Sequence, residues 1–275
     1  MARHLDAFLN RLALEPAVLV TVERTRGSVP REAGTWMAVF ARDQVGTIGG
    51  GQLEWATLQQ ARQRLAARAL EPWEQTAALG PSLGQCCGGS LVLRCEPVSV
   101  ADAAALRQRL APSLVPVALF GGGHVGRALV QALAPLPFAV TWVDSRDEVF
   151  PTDVPAQVHT EHSDPVQAAV ADLAPGAQVL IMSFSHAEDL DIVAACLRRQ
   201  RERADLRFIG LIGSHTKWAS FRHRLAERGF TEVELAQVTC PIGLPGITDK
   251  APEVIAASVV AQLLLLREAV VSPRS

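Results

Sequence analysis

The spacing of apolar residues divides the chain into two parts with different secondary-structure patterns. Near the start, four large apolar residues recur at helical spacing and predict a short amphipathic helix at residues 3–13. A longer helix is predicted at 52–70, and glycine-bearing loops separate the other elements. Strands are predicted at 17–22, 35–40, 45–48 and 90–95. We therefore expect residues 1–110 to form a small α+β domain.

Beyond residue 116, apolar strands alternate with amphipathic helices. Strands are predicted at 138–143, 158–160, 179–184 and 208–212, after a first apolar run that begins at Pro116. Such alternation is typical of a parallel sheet covered by helices on both faces. The fold class predicted for 116–275 is α/β, a Rossmann-type doubly wound parallel sheet, and the segment 111–114 is the expected domain boundary.

A Gly-x-Gly-x-x-Gly motif joins the first of these strands to its helix. In this motif Gly121 allows a tight turn, Gly123 lets a phosphate approach bare backbone, and Gly126 lets the helix lie close to the strand. Asp144 ends the next strand, where dinucleotide folds place the acid that binds a ribose. The motif predicts a nucleotide site, and the alternative is a Rossmann scaffold kept only for packing. Arg146 is expected either to pair with a 2′-phosphate or to be solvated.

Two histidines follow predicted strands at the same edge of the sheet. His186 comes after the strand at 179–184, and His215 comes after the strand at 208–212. Because ligands of such sheets sit beyond the carboxyl ends of the strands, His186 is a candidate ligand-binding residue. The alternative is that His186 opens a helix and simply caps it.

A second glycine cluster precedes the helix of the first domain. Gly49 and Gly50 precede a helix start and are candidates for an anion-binding nest, with polar groups from Gln52 and Glu54 in the first turn. The alternative is a plain helix entry in which the acid complements the helix dipole.

The adjacent cysteines Cys86 and Cys87 lie in a glycine-rich segment. Their thiolates are suited to a soft metal or to sulfur chemistry, and the alternative is a pair of small buried residues in a turn. Cys95 and Cys196 fall within apolar patterns and are expected in the core.

Composition narrows the class of protein. The 275 residues carry a formal net charge of -2, which gives no reason to expect a nucleic acid or an anionic membrane as partner. The N-terminus lacks the apolar core of a signal peptide, and the longest nearly apolar run, 254–266, is too short to span a bilayer. Five cysteines do not form the pattern of a secreted disulfide scaffold. We expect a cytoplasmic protein.

Several sequence blocks, in one order, resemble the XdhC family. The blocks are Gly-Ser-Val-Pro-Arg-Glu-Ala-Gly at 27–34, Gly-Gly-Gly-Gln-Leu-Glu at 49–54, Leu-Gly-Gln-Cys-Cys-Gly-Gly at 83–89, Phe-Gly-Gly-Gly-His-Val-Gly at 120–126, Ser-His-Ala at 185–187, Ile-Gly-Leu-Ile-Gly-Ser at 209–214 and Cys-Pro-Ile-Gly-Leu at 240–244. The related CoxI-type proteins usually carry Cys where this chain has Gly51, so the resemblance favours the xanthine dehydrogenase branch.

The resemblance implies a maturation chaperone without catalytic turnover. Such a chaperone binds molybdenum cofactor (molybdopterin), protects it while its sulfido ligand is installed, and inserts it into apo-xanthine dehydrogenase. It also implies a cysteine desulfurase as partner and a homodimer. In this interpretation the glycine loops hold the phosphate, and Cys86 or Cys87 approaches the molybdenum.

Two other classes of function stay open from the sequence. The Gly121–Gly126 loop and Asp144 fit an NAD(P)-dependent oxidoreductase, for which His186 or Lys217 is the candidate proton donor. The third possibility is an interaction module whose Rossmann half only dimerises and docks on a target enzyme.

Overall fold

The structure is a computed structural model that describes residues 2–69, 71–78 and 88–271, with side chains from residue 4 to residue 267. The chain divides into two compact units, Met1–Pro112 and Ser113–Ser275. We refer to them as the N-terminal unit and the Rossmann unit, and each is described by itself.

The N-terminal unit is an antiparallel sheet with helices on both faces. Its strands follow the order β3-β2-β1-β5-β4. The elements are α1 (Ala2–Leu12), β1 (Ala17–Arg26), β2 (Trp36–Val39), β3 (Gln44–Gly46), α2 (Gly51–Ala66), β4 (Trp73–Ala78), β5 (Ser90–Val98), a 3₁₀ turn (Val100–Asp102) and α3 (Ala103–Leu110).

Alternation along β1 divides the core of this unit into two layers. Val18, Val20 and Val22 pack in the layer that contains α2, whereas Ala17 and Leu19 pack in the layer that contains α1 and α3. Successive side chains of a strand point to opposite faces, so a ten-residue strand can serve both layers.

The Rossmann unit contains a six-stranded sheet in which every pair of neighbouring strands is parallel, in the order β11-β10-β9-β6-β7-β8. Its elements are β6 (Val115–Phe120), α4 (His124–Leu133), β7 (Phe138–Asp144), β8 (Val158–His162), a 3₁₀ helix (Val166–Asp172), β9 (Gln178–Ile181), α5 (His186–Arg203), β10 (Phe208–Leu211), α6 (His215–Glu227), α7 (Glu232–Leu235), β11 (Val238–Thr239) and α8 (Pro252–Val271).

Helices cover both faces of this sheet. Val179 and Ile181 of β9 pack in the layer with α5 and α6, and Leu180 packs in the layer with α4 and α8. The chain runs outward from β6 in both directions, so β6 and β9 mark the point where the winding reverses and where ligands of such sheets bind. The predicted fold class is therefore confirmed.

Three local details differ from the prediction. Where the alternation predicts an α-helix between β8 and β9, Val166–Asp172 form a 3₁₀ helix, and the strand expected to reach Phe184 ends at Ile181. The short α7 and β11 were not predicted, because four and two residues are too few to show a period. Within the described residues, no helix is long and apolar enough to cross a membrane.

Candidate functional site

Gly121 and Gly126 are packing requirements of the turn after β6. Gly121 has φ 125°, a conformation that favours glycine, and a Cβ there would lie 2.0 Å from the carbonyl oxygen of Met182. A Cβ on Gly126 would lie 2.0 Å from the carbonyl oxygen of Gly121. That same oxygen accepts a hydrogen bond of 2.9 Å from Nε1 of Trp142. The turn is thus fixed against the sheet, as the motif predicts.

Gly123 has a different environment. A Cβ placed on it would meet nothing within 4 Å, and α4 begins at the next residue with no side-chain cap. The first N–H groups of a helix have no partner inside the helix and favour an anion. The predicted phosphate role of Gly123 has the space that it needs and stays a prediction.

The carboxylate of Asp144 is buried next to this loop, and both of its oxygens accept hydrogen bonds from the protein. Its Oδ2 accepts a hydrogen bond of 2.6 Å from the backbone N–H of Gly122. Arg146 donates to both carboxylate oxygens, with Nε to Oδ1 and Nη2 to Oδ2 both at 2.9 Å, and its backbone N–H also reaches Oδ1. Burial alone would raise the pKa of Asp144, but the bonds from Arg146 and Gly122 outweigh it and lower the pKa.

This arrangement bears on the predicted ribose role of Asp144. An ionised carboxylate offers about four acceptor positions, and protein donors fill them here. A diol would have to displace Arg146 to bind. Arg146 itself is neither free nor simply solvated, since it pairs with Asp144 and also stacks on Phe184.

His186 is the first residue of α5 and is exposed. The helix is capped by the side chain of Ser185, which accepts from the backbone N–H of Glu188, so His186 does not supply the cap. Its ring lies edge-on to Phe221, with ring centroids 6.3 Å apart. The position at the carboxyl edge of the sheet agrees with the geometry expected of a ligand-binding residue, and that role stays a prediction.

A buried ion pair at the same edge was missed by the sequence reasoning. Nζ of Lys217 lies 2.6 Å from Oδ2 of Asp189 and 2.8 Å from the carbonyl oxygen of Ile212. The other oxygen of Asp189 accepts from both the backbone N–H and the hydroxyl of Ser183. The signal in the sequence was an acid in the first turn of α5 and a lysine in the first turn of α6, which follow neighbouring strands.

The cysteines that the structure describes are poor nucleophiles. Burial raises the pKa of Cys95 and Cys196 to about 12, which agrees with the expected core positions. Burial also raises the pKa of the half-buried Cys240 to about 11, although Lys217 opposes the shift. Thiol chemistry near neutral pH is therefore not favoured at these three residues. Cys86 and Cys87 lie outside the described residues.

In the N-terminal unit, the backbone nest before α2 is filled by the chain's own acid. Glu54 accepts hydrogen bonds from the backbone N–H groups of Ile48 and Gly50 at 2.9 and 3.0 Å. It also accepts from the hydroxyl of Thr47 at 2.5 Å and from the amide of Gln44 at 3.1 Å. Burial alone would raise the pKa of Glu54, but these bonds lower it overall. Glu54 therefore holds the loop in shape.

Glu54→Gln should destabilise the N-terminal unit by about 1–2 kcal/mol at pH 7, because a neutral amide replaces an acceptor of several donors at a half-buried site. A carboxylate with a lowered pKa stabilises the fold at a pH above its pKa in the unfolded chain. This stabilisation is lost as the pH falls through its pKa in the folded protein. The difference in the free energy of unfolding between variant and wild type should therefore become smaller once the pH falls below 4.5, the ordinary pKa of a glutamate. Urea unfolding at pH 7 and pH 3 measures it. A difference that is the same at both pH values would contradict the assignment.

The other candidates of this loop differ in their surroundings. A Cβ on Gly50 would meet nothing within 4 Å, and Gln52 is exposed in the first turn of α2, which has no side-chain cap. Gly49 is instead packed, since a Cβ on it would lie 2.9 Å from the ring of Pro30. Their binding roles stay predictions.

Three of the glycine-bearing segments meet in the N-terminal unit. We call residues 27–34, 49–54 and 88–89 together the glycine-loop cluster. The first segment touches the second through Pro30 and Gly49, and a Cβ on Gly89 would lie 2.4 Å from the carbonyl oxygen of Ser28. Segments far apart in the sequence thus form one surface. Within the described part of the chain, no group of three or more His, Cys, Asp or Glu side chains is placed to hold a metal ion.

Comparisons with known proteins extend over most of the chain. The family model described as the XdhC Rossmann domain matches residues 117–263, and the model of the XdhC and CoxI family matches residues 11–71. The uncharacterized protein YqeB of Escherichia coli strain K12 is 28% identical over 257 residues. That alignment covers 92% of this chain but only 44% of YqeB, so the chain spans less than half of that relative.

One solved structure shows the same fold over nearly the whole chain. A protein described as a xanthine dehydrogenase from Bacillus halodurans superposes with a TM-score of 0.79 at 21% identity, covering 97% of this chain and 96% of that one. A Rossmann-fold NAD(P)-binding family protein from Shigella flexneri covers 59% of this chain and 89% of its own, at 20% identity and a TM-score of 0.38, a likeness too low to carry an argument. The family models together with this geometry show that the chain belongs to the XdhC family.

Proposed function

We propose that this chain holds molybdenum cofactor, in its molybdopterin form, and passes it to apo-xanthine dehydrogenase. Membership of the XdhC family links the chain to xanthine dehydrogenase maturation. In this proposal the chain is a chaperone without turnover that acts in the cytoplasm as a homodimer. A cysteine desulfurase supplies the sulfur while the cofactor is held.

The observation that carries the proposal is the glycine-loop cluster. Its three segments lie close together where Pro30 meets Gly49 and where Ser28 meets Gly89, and the bonds of Glu54 fix the second segment, so the exposed Gln52 has a fixed backbone beneath it. Cys87 is covalently joined to Gly88, the first residue of the third segment. The double cysteine therefore immediately precedes the third segment in the sequence.

The chemistry of these groups suits the cofactor. The cofactor binds its molybdenum through dithiolene sulfur, and the thiolate of a cysteine is a sulfur ligand of the same kind. We assign Cys86 and Cys87 to the molybdenum, and the exposed side-chain amide of Gln52 to the pterin. When bound, the cofactor supplies the molybdenum centre that the target enzyme uses. The chain's own residues bind that group and keep it from solvent.

The alternative of an NAD(P)-dependent oxidoreductase has weaker support. Its ribose acceptor, Asp144, is engaged by Arg146, and its candidate proton donor Lys217 is bound to Asp189. His186 remains as the other candidate donor.

Anaerobic titration of the purified protein with molybdenum cofactor tests the proposal. We expect tight binding by the wild type and a loss of at least tenfold in affinity for the Cys86→Ala/Cys87→Ala double variant. Cys240→Ala is the matched control, since its thiol is half-buried and has a raised pKa, and it should bind like the wild type. The signal is the visible absorption of the metal–dithiolene group together with pterin fluorescence after release.

Each other outcome has a definite meaning. Equal binding by the wild type and the double variant would remove the cysteines from the site and leave the glycine-loop cluster as the holder. Absence of binding by the wild type would overturn the proposal, and nicotinamide binding in the same samples would then favour the oxidoreductase.

A further inference from the structure

A solvent-exposed aromatic ring stacks on a guanidinium group at the carboxyl edge of the Rossmann sheet, where the winding of the chain reverses. Phe184 follows β9 and is 67% exposed, although it is a large apolar residue. Cζ of Arg146, which follows β7, lies 4.6 Å from the centroid of the Phe184 ring. Because β7 and β9 lie on either side of β6, this contact crosses the carboxyl end of β6.

The guanidinium is held rigidly in that position. Its Nε and Nη2 form a two-pronged hydrogen bond to Asp144, whose side chain is buried, and this fixes the plane of the group. Among the described residues, Nη1 has no partner, so it remains as a donor. About a third of the Arg146 side chain, 36%, is exposed. A charged plane and an aromatic plane are therefore presented together without a conformational rearrangement.

The stacked side chains of Arg146 and Phe184 lie beside the glycine loop at 121–126. A single oxygen, Oδ2 of Asp144, receives both Nη2 of Arg146 and the backbone N–H of Gly122, so the guanidinium lies beside the turn that leads into α4. A second contact, from the hydroxyl of Ser145 to Oε1 of Glu188 at 2.6 Å, joins the same two sides of the crevice. The carboxyl edge of β6 is thus lined by a ring, a cation and an open glycine backbone.

We propose that Arg146 and Phe184 form a stacking subsite for a planar heteroaromatic ring that carries a diphosphate. The ring stacks on the exposed face of Phe184, and the diphosphate accepts from Nη1 of Arg146. Stacking on aromatic side chains tolerates different rings, because each has a π face. Recognition here uses the ring and the phosphates instead of a ribose diol, because the carboxylate that would bind a diol is already occupied.

This inference goes beyond the proposed function, because it concerns the Rossmann unit and not the glycine-loop cluster. The same ligand chemistry has two sources. One is a nucleoside diphosphate, free or as the tail of a larger cofactor, and the other is a pterin that carries a diphosphate.

Calorimetric titration of the full chain distinguishes the contribution of the ring to binding from that of the diphosphate. The probes are ADP and 6-hydroxymethyl-7,8-dihydropterin diphosphate, with adenosine as a ring without phosphate and inorganic pyrophosphate as phosphate without a ring. We expect at least one of the two complete probes to bind at least tenfold more tightly than either fragment. Which probe binds more tightly identifies the source.

Three variants test the residues. Phe184→Leu keeps an apolar side chain without a π face and should weaken binding of the complete probe about tenfold, while Phe184→Tyr should bind like the wild type. Arg146→Lys keeps the charge but loses the planar fork and should also weaken binding about tenfold. Calorimetric melting confirms that each variant is folded.

Three outcomes would overturn the proposal. They are absence of binding by both complete probes, pyrophosphate binding as tightly as the complete probes, and unchanged affinity in folded Phe184→Leu protein.

Discussion

Gly126→Ala should destabilise the Rossmann unit by about 3 kcal/mol or more, whereas Gly123→Ala should change its stability by about 1 kcal/mol or less. The added methyl group of the first variant would lie 2.0 Å from the carbonyl oxygen of Gly121, which is well inside contact distance. Relief would require α4 to move away from β6. In the second variant the methyl group meets nothing within 4 Å, and the backbone φ of -72° suits alanine.

The measurement is urea unfolding of both variants followed by tryptophan fluorescence. Trp142 belongs to the Rossmann unit and donates to the carbonyl oxygen of Gly121, so its signal reports directly on this turn. The curves should be fitted with a separate transition for each unit, because two-state behaviour need not hold for two units. Equal stability of Gly126→Ala and Gly123→Ala would show that α4 can shift without cost, and would remove the packing account of the motif.

The pair of variants also separates the two roles of the glycine motif. Gly121 and Gly126 are needed for the fold whether or not a ligand binds, which is why the motif alone predicts a Rossmann turn so well and a nucleotide less well. At Gly123, in contrast, packing does not require a glycine. A bulky residue there should leave the fold intact and block the approach of a phosphate, so Gly123 is where function can be tested separately.

The sequence was sufficient to predict the order and type of the long helices and strands. The spacing of their apolar residues reflects which side chains enter the two core layers on either side of each sheet. The sequence located Asp144 correctly at the end of β7. It could not show that Arg146, two residues later, turns back onto that carboxylate, since this depends on side-chain rotamers and on Phe184, which follows β9. Hydrophobic periodicity carries no information on such contacts.

The same limit applies to the glycine cluster that precedes α2. The sequence placed Glu54 among the residues that face a ligand, and the structure shows its carboxylate turned to Thr47 and to the loop backbone. In both glycine loops a carboxylate of the chain accepts a loop N–H that the motif offers to an anion. A glycine nest in a sequence therefore predicts an anion, but not whether that anion belongs to a ligand or to the protein.

Lys217→Met should destabilise the Rossmann unit by about 3–5 kcal/mol, because it leaves the carboxylate of Asp189 buried without its counter-charge. The side chains of Lys217 and Asp189 are only 11% and 3% exposed. Ser183 continues to donate to one oxygen of Asp189, but no cation replaces the ammonium at the other. Arg228→Met is the matched control. Its ion pair with Asp191 has the similar length of 2.7 Å, but its side chains are 37% and 42% exposed, and its loss should cost about 1 kcal/mol or less.

Combining Lys217→Met with Asp189→Asn gives the sharper test, because the effect of the second substitution should change sign. In the wild type, Asp189→Asn removes the partner of a buried ammonium and should destabilise the unit. In the Lys217→Met background it neutralises a buried unpaired carboxylate while keeping an acceptor for Ser183, and should restore about 1 kcal/mol or more. Unfolding free energies of the four proteins measure this coupling. If Asp189→Asn destabilises both backgrounds equally, solvent reaches the pair, and the ends of β9 and β10 are held together by packing and not by this charge.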